Sequence, residues 1–137
     1  MKMKKILASI ALLFGFSSLV QAQLPSQVKQ VLPNTPTVNF SWDYNTADEA
    51  SIDSFVLQRT QFSATTTITS PYDTEIVINQ KTMRTATFTI PAGVLAGQKA
   101  FFRIVARKVG LADSTPSNVV ELDIVPTPPA PMNLRFP

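Results

Sequence analysis

Asp43, Asp48, Glu49 and Asp53 crowd one stretch of the chain, with Asn45 among them. Oxygen groups so spaced could do two kinds of chemistry. Two carboxylates could trade a proton as general acid and general base. Together with Asn45 they could offer calcium a set of hard oxygen ligands. The order Asp43-Tyr44-Asn45-Thr46-Ala47-Asp48-Glu49 argues against calcium. Ala47 stands where the fifth position needs an oxygen, and the glycine of the sharp turn is missing. Proton transfer finds no further support, because the chain has no histidine and no cysteine. The glycines, at 15, 93, 97 and 110, make no phosphate-cradling loop. The acidic stretch therefore reads as a solvated loop. No catalytic residue, no metal ligand and no cofactor is expected, and the chain reads as a non-enzyme.

Recognition is the other use for polar and apolar groups. The segments Asn45–Ser51 and Val109–Ser117 are rich in turn-forming residues. Loops on a rigid scaffold commonly carry binding, so Asn45, Asp48, Glu49, Asp113 and Ser114 are the loop candidates. Plain turns are the competing reading, since neither loop holds an aromatic pair. The second candidate pair is Leu134 and Phe136, which alternate with Arg135. Such a segment adds to a sheet edge, its own or a partner's, or simply frays. A protein or a surface glycan is the expected partner. A homo-oligomer through the tail or an edge strand is the other.

The first residues set the compartment. Lys2, Lys4 and Lys5 precede an apolar run, Ile6–Val20, and Val20-Gln21-Ala22 then supplies a small-residue cleavage site. This is the pattern of a secretory leader, and the run is short for a membrane span. The mature chain is expected to be secreted or periplasmic, at an extracellular surface, and free of the membrane. Three of the twelve basic residues lie in the leader, leaving nine against nine acidic ones. That balance gives no basic face for nucleic acid. Without cysteine, no disulfide supports the exported fold.

The rest of the chain reads as strands. In Thr37–Tyr44, Val38, Phe40, Trp42 and Tyr44 alternate with polar residues, the period of a half-buried strand. Lys99–Lys108 answers it, with Phe102, Ile104 and Ala106 inward. Trp42, the single tryptophan, is expected to fill the space between two sheets. Gln27–Val31 predicts a short edge strand between prolines. Ile52–Thr60 predicts a strand with Phe55 and Leu57 on one face and Val56 and Gln58 on the other. Glu75–Asn79, Thr85–Ile90 and Asn118–Val125 complete the set, and Thr65–Thr69 predicts a short exposed edge strand. About seven short strands and no helical period point to an all-β sandwich.

Several of these stretches resemble the fibronectin type III family. Val38-Asn39-Phe40-Ser41-Trp42-Asp43-Tyr44 looks like that family's second strand, and Ile52–Arg59 is similar to its third. Leu95–Arg107 resembles its sixth strand and the turn before it, and Asp113–Leu122 its last loop and strand. The resemblance implies a seven-stranded antiparallel immunoglobulin-like β-sandwich over 37–125. It also implies that Asn45–Ser51 and Val109–Ser117 share one end. One departure is Ala100, where the family usually has a tyrosine that bonds back to the turn. The organisation is then a leader at 1–22, an N-terminal segment at 23–36, the sandwich at 37–125, and a linker and tail at 126–137. In that tail, Pro126–Pro131 is a stiff spacer, and Pro129–Phe136 resembles the opening of a further repeat. The resemblance implies adhesion, spacing or assembly at a cell or particle surface. The alternative is a structural subunit of a larger surface assembly, a virion or filament, held by edge-strand or tail contacts.

Cleavage after Ala22 predicts a mature chain beginning at Gln23. Intact-mass measurement of exported protein checks this; Met1 retained on membrane-bound protein would identify an anchor instead.

Overall fold

A computed structural model describes residues 24–128 and 130–137. The leader at 1–22 lies outside the described residues, as does Pro129 of the linker. Among the described residues, period-two alternation builds seven strands: β1 (Gln27–Val31), β2 (Thr37–Ser41), β3 (Ser54–Arg59), β4 (Thr74–Ile78), β5 (Thr85–Thr89), β6 (Lys99–Arg107) and β7 (Val120–Ile124). They form a five-stranded sheet in the order β1-β7-β6-β3-β4 and a two-stranded sheet of β2 and β5. The two sheets pack face to face.

Neighbours pair antiparallel with one exception. β1 runs parallel to β7, with Gln27 opposite Val120 and Val31 opposite Ile124. The expected all-antiparallel sandwich is corrected at this strand. β1 is exposed except at Val31, so its side chains do not mark which sheet it belongs to. Backbone bonds decide: Ser26 N–H donates to the Val119 carbonyl at 2.8 Å, and Val125 N–H to that of Val31 at 2.8 Å. Having joined β7, β1 does not cover β2.

The core lies where β2 and β5 face β6, β3 and β7. Val38, Leu57, Phe88, Phe102, Leu122 and Ile124 are buried together there, with Phe40 packed against them. Phe102 is fully buried. Its ring centroid lies 4.7 Å from that of Phe40 and 5.1 Å from that of Phe88. Ala100 is fully buried beside it, so no hydroxyl ties the turn before β6. Backbone bonds do so instead, from Gly97 N–H to the Ile124 carbonyl at 2.7 Å and from Ile124 N–H to that of Gln98 at 2.9 Å.

Trp42 does not fill the centre. It is half-buried in a satellite cluster with Ile52, Phe55 and Ala106. Its ring meets Phe55 edge-on at 5.4 Å, and Tyr44 meets the same ring at 5.0 Å. Trp42 follows the end of β2, whereas Phe40, two residues earlier, lies over Phe102 in the centre.

Two further expectations change. Asn45–Ser51 is not an open loop: Thr46–Ser51 forms a 3-10 helix capped by Asn45, whose Oδ1 accepts from Ala47 N–H at 3.1 Å. Thr65–Thr69 is not a strand. Hydroxyls capture its backbone donors, Ser63 Oγ that of Thr65 and Ser70 Oγ that of Thr67, which competes with ladder pairing. The outward face of β3 is also closed, since Val56 and Gln58 are buried as well. Gln58 accepts from Arg103 Nε at 2.8 Å and donates to Glu75 at 2.8 Å, while the Arg103 guanidinium lies 4.1 Å from the Tyr72 ring centre. Central position makes β3 buried on both sides, as in a covered sheet.

Phe102→Ala is expected to cost about 3–5 kcal/mol by opening a cavity between the sheets. Trp42→Ala, at the satellite cluster, is expected to cost about 1–3 kcal/mol. Denaturant melts check the order; equal or reversed losses would put Trp42 in the main core.

Candidate functional site

The acidic residues are committed one by one to the frame. Asp53, just before β3, accepts from Val109 N–H at 2.7 Å and from Lys108 Nζ at 3.2 Å. These contacts, the Val109 N–H first, hold its carboxyl below the usual carboxylate range. They also bring the 3-10 helix and the β6–β7 loop to one end of the sandwich. Glu49 pairs with Arg84, which also donates to the Tyr44 carbonyl at 3.3 Å. Asp113 receives two bonds from Arg107, at 2.7 and 2.8 Å, and Arg107 reaches Glu75 at 2.9 Å. Asp43 and Asp48 are exposed. Among the described residues, no group of three His, Cys, Asp or Glu side chains is placed to hold a metal ion.

Ser114 is a structural tie. Its Oγ accepts from Ala106 N–H at 2.9 Å, and Ser117 Oγ accepts from Ile104 N–H at 3.0 Å. Their own N–H groups bond back to the Ala106 and Ile104 carbonyls at 3.0 and 2.9 Å. The loop thus finishes the edge of β6 beyond the start of β7. Of the loop candidates, Asn45 caps a helix, and Glu49, Asp113 and Ser114 are engaged within the fold. Asp48 alone leaves its carboxylate in solvent. Leu134 and Phe136 stand apart from all of these, 102% and 99% exposed.

The site that the sequence did not reveal is the open edge of β2. Ile90 N–H donates to the Pro36 carbonyl at 3.0 Å, and Trp42 N–H to that of Arg84 at 2.9 Å. Antiparallel bonding alternates along a strand, so Val38, Phe40 and Trp42 spend their backbone groups on β5. The N–H and C=O groups of Thr37, Asn39 and Ser41 then point to the other side. Among the described residues, no strand pairs there, because the second sheet has only β2 and β5.

That edge opens on a trough between the sheets. One part, of about 300 Å³, has Phe40, Trp42, Leu57, Phe102, Ile104 and Val120 in its lining, with Asp43, Arg103, Ser117 and Asn118 among the polar residues. The adjoining part, of about 170 Å³, adds Val28, Val38 and Leu122, with Lys29, Asn39 and Glu121 among its polar groups. The parts share Phe40, Ser41 and Val120. Trp42 Nε1, beside the trough, is buried with no acceptor. An apolar floor, mixed-charge polar sides and a row of free backbone groups suit an extended polypeptide, which could pair with β2 and press alternate side chains inward. The signal in the sequence was β2 itself, but its open side follows from β1 pairing elsewhere.

Glu121 carries a raised carboxyl group on the face of β7 turned away from the trough, beside Phe101. Burial pushes its carboxyl up, and the neighbouring Asp123 adds to the rise. No protein-family model matches the chain, and no curated protein matches it.

The pH dependence separates the two kinds of carboxylate. Asp53, Glu75 and Asp113 are held low in the fold. Their contribution is present above the unfolded carboxylate range and is lost as pH falls through their folded values. Glu121 is the reverse: its contribution is present when it is protonated and lost as pH rises. Glu121→Gln is therefore expected to raise the melting temperature at neutral pH and to lose that advantage in acid. Asp113→Asn is expected to lower it at neutral pH, with the difference vanishing in acid. Melting curves across the acid-to-neutral range check both signs.

Proposed function

We propose that this chain is a secreted, non-catalytic binding module of fibronectin type III type, acting at a cell or particle surface by accepting an extended polypeptide along β2. The observation that carries the reading is the unpaired β2 edge above an apolar trough. The family reading draws on the strand patterns of 38–44, 52–59, 95–107 and 113–122 and on two facing sheets. It departs from the expected arrangement at Ala100 and at β1, which lies on β7. The acidic loop residues lend an enzymatic reading no support, since Glu49, Asp53 and Asp113 are tied to cations or backbone groups and Asp43 and Asp48 are left in solvent. The export reading rests on the leader alone. Among the described residues, no helix is long and apolar enough to cross a membrane.

A peptide is favoured over a glycan by the wall of free N–H and C=O groups. Sugars are commonly gripped by exposed aromatic rings, and Phe40 and Trp42 here are half-buried. The second reading, a structural subunit of a larger surface assembly, draws on the fully exposed Leu134 and Phe136.

Trp42 reports on the trough directly, as the single tryptophan. Titrating the chain with extended peptides of alternating apolar pattern is expected to change its emission saturably. Ser41→Pro removes an outward N–H without touching the bonds to β5, and is expected to weaken binding at least tenfold while preserving the fold. Emission that no extended peptide alters would overturn the reading.

A further inference from the structure

We infer that the segment filling the trough is Met132–Phe136 of a second copy of this chain, so that copies join head to tail by strand addition. This rests on the reading of the β2 edge as a strand-accepting site and names its occupant.

The pattern of the segment fits the trough. Met132, Leu134 and Phe136 alternate with Asn133 and Arg135, so an extended backbone puts three apolar side chains on one face. All three stand in solvent, Met132 at 85% exposure and the other two almost completely. Their length matches as well, since β2 and Met132–Phe136 have five residues each. With the apolar face on the floor, Arg135 points outward. Asp43, exposed next to Trp42, supplies a carboxylate to meet it.

The geometry of the exit favours another copy over the same one. The tail leaves from β7 beyond Ile124, where Val125 N–H bonds to the Val31 carbonyl. The trough runs from Val38 and Leu122, near that end, to Ser117 and Asn118 at the other. Folding back would require a full reversal within 126–131, which holds Pro126, Pro128, Pro129 and Pro131. A proline-rich segment is stiff, and Leu134 and Phe136 stand almost completely exposed, clear of their own chain's trough, so they are left for a neighbour's.

One residue sets the conformational step. Asn133 sits at a φ of 59°, a left-handed bend that asparagine tolerates and a β-branched residue resists. Docking as a strand requires Asn133 to open to the extended region. Asn133→Val, which disfavours the bend, is expected to tighten association by several-fold.

Sedimentation of the intact chain over a concentration series tests the inference. Growth into open-ended oligomers is expected, because a head-to-tail contact that does not close continues. The double variant Leu134→Glu with Phe136→Glu lacks the strand and is expected to stay monomeric, as is Ser41→Pro, which lacks the edge. Mixed together, the two are expected to form a one-to-one dimer, since one keeps an intact edge and the other an intact tail. Monomeric wild type at every concentration, association by the double variant, or a mixture that stays monomeric would each overturn the inference. Should Ser41→Pro melt early, a peptide of residues 131–137 added to the double variant replaces it: a saturable change in Trp42 emission supports the inference, and none overturns it. If other extended peptides change that emission and this one does not, the inference falls while the proposed function stands. If no extended peptide does, both fall.

Discussion

The packing of Phe102 against Phe40 and Phe88 joins the two sheets, and the rest of the molecule depends on it. A two-stranded sheet is marginal in water by itself. β2 and β5 persist because Val38, Phe40 and Phe88 bury their faces on β6, β3 and β7. The rings meet at tilted and edge-on angles, geometries that favour aromatic pairs. Since side chains hold the two-stranded sheet on its neighbour and β5 pairs with β2 on one side only, the other side of the β2 backbone is left unpaired. The same packing that makes the fold therefore leaves the trough.

Charge serves mainly to fasten connections. Asp53 ties the β6–β7 loop, Arg84 ties the β4–β5 turn to the 3-10 helix, and Arg107 bridges Glu75 and Asp113. These pairs are largely solvated, so each adds little stability. Their value is positional. They hold one end of the sandwich rigid, which keeps the trough's wide end, lined by Trp42, Ser117 and Asn118, at a fixed width. Ser114 and Ser117 add to this by pairing with β6 where β7 has not yet begun.

An open edge is a hazard that β-proteins usually cover or blunt. Here the outer strand β1 bears Lys29 and two glutamines, Gln27 and Gln30, and is exposed along most of its length. β2 is not blunted in this way: its outward backbone groups run above apolar side chains. An edge with an apolar floor left uncovered is the feature that a partner strand would complete, and the proposed binding role rests on it.

Much of the architecture was legible in the residues. The alternation in Thr37–Tyr44, Thr85–Ile90, Lys99–Lys108 and Asn118–Val125 located strands and their inward faces, because side chains on a strand must alternate. Gln27–Val31 was read with its final boundaries because the prolines around it leave few other places for a strand. The tail's apolar pair was also visible, as residues that no local element could bury. Tertiary structure alone decided the partners. Periodicity does not encode strand direction, so the parallel pairing of β1 with β7 could not be read, and with it the open side of β2. Nor does residue size alone assign depth: Trp42 looked central, but β2 ends at Ser41 and it is Phe40 that lies over Phe102. Asp53, Glu49 and Asp113 looked available from sequence and proved engaged, since Val109, Arg84 and Arg107 reach them only once the strands have brought distant segments together.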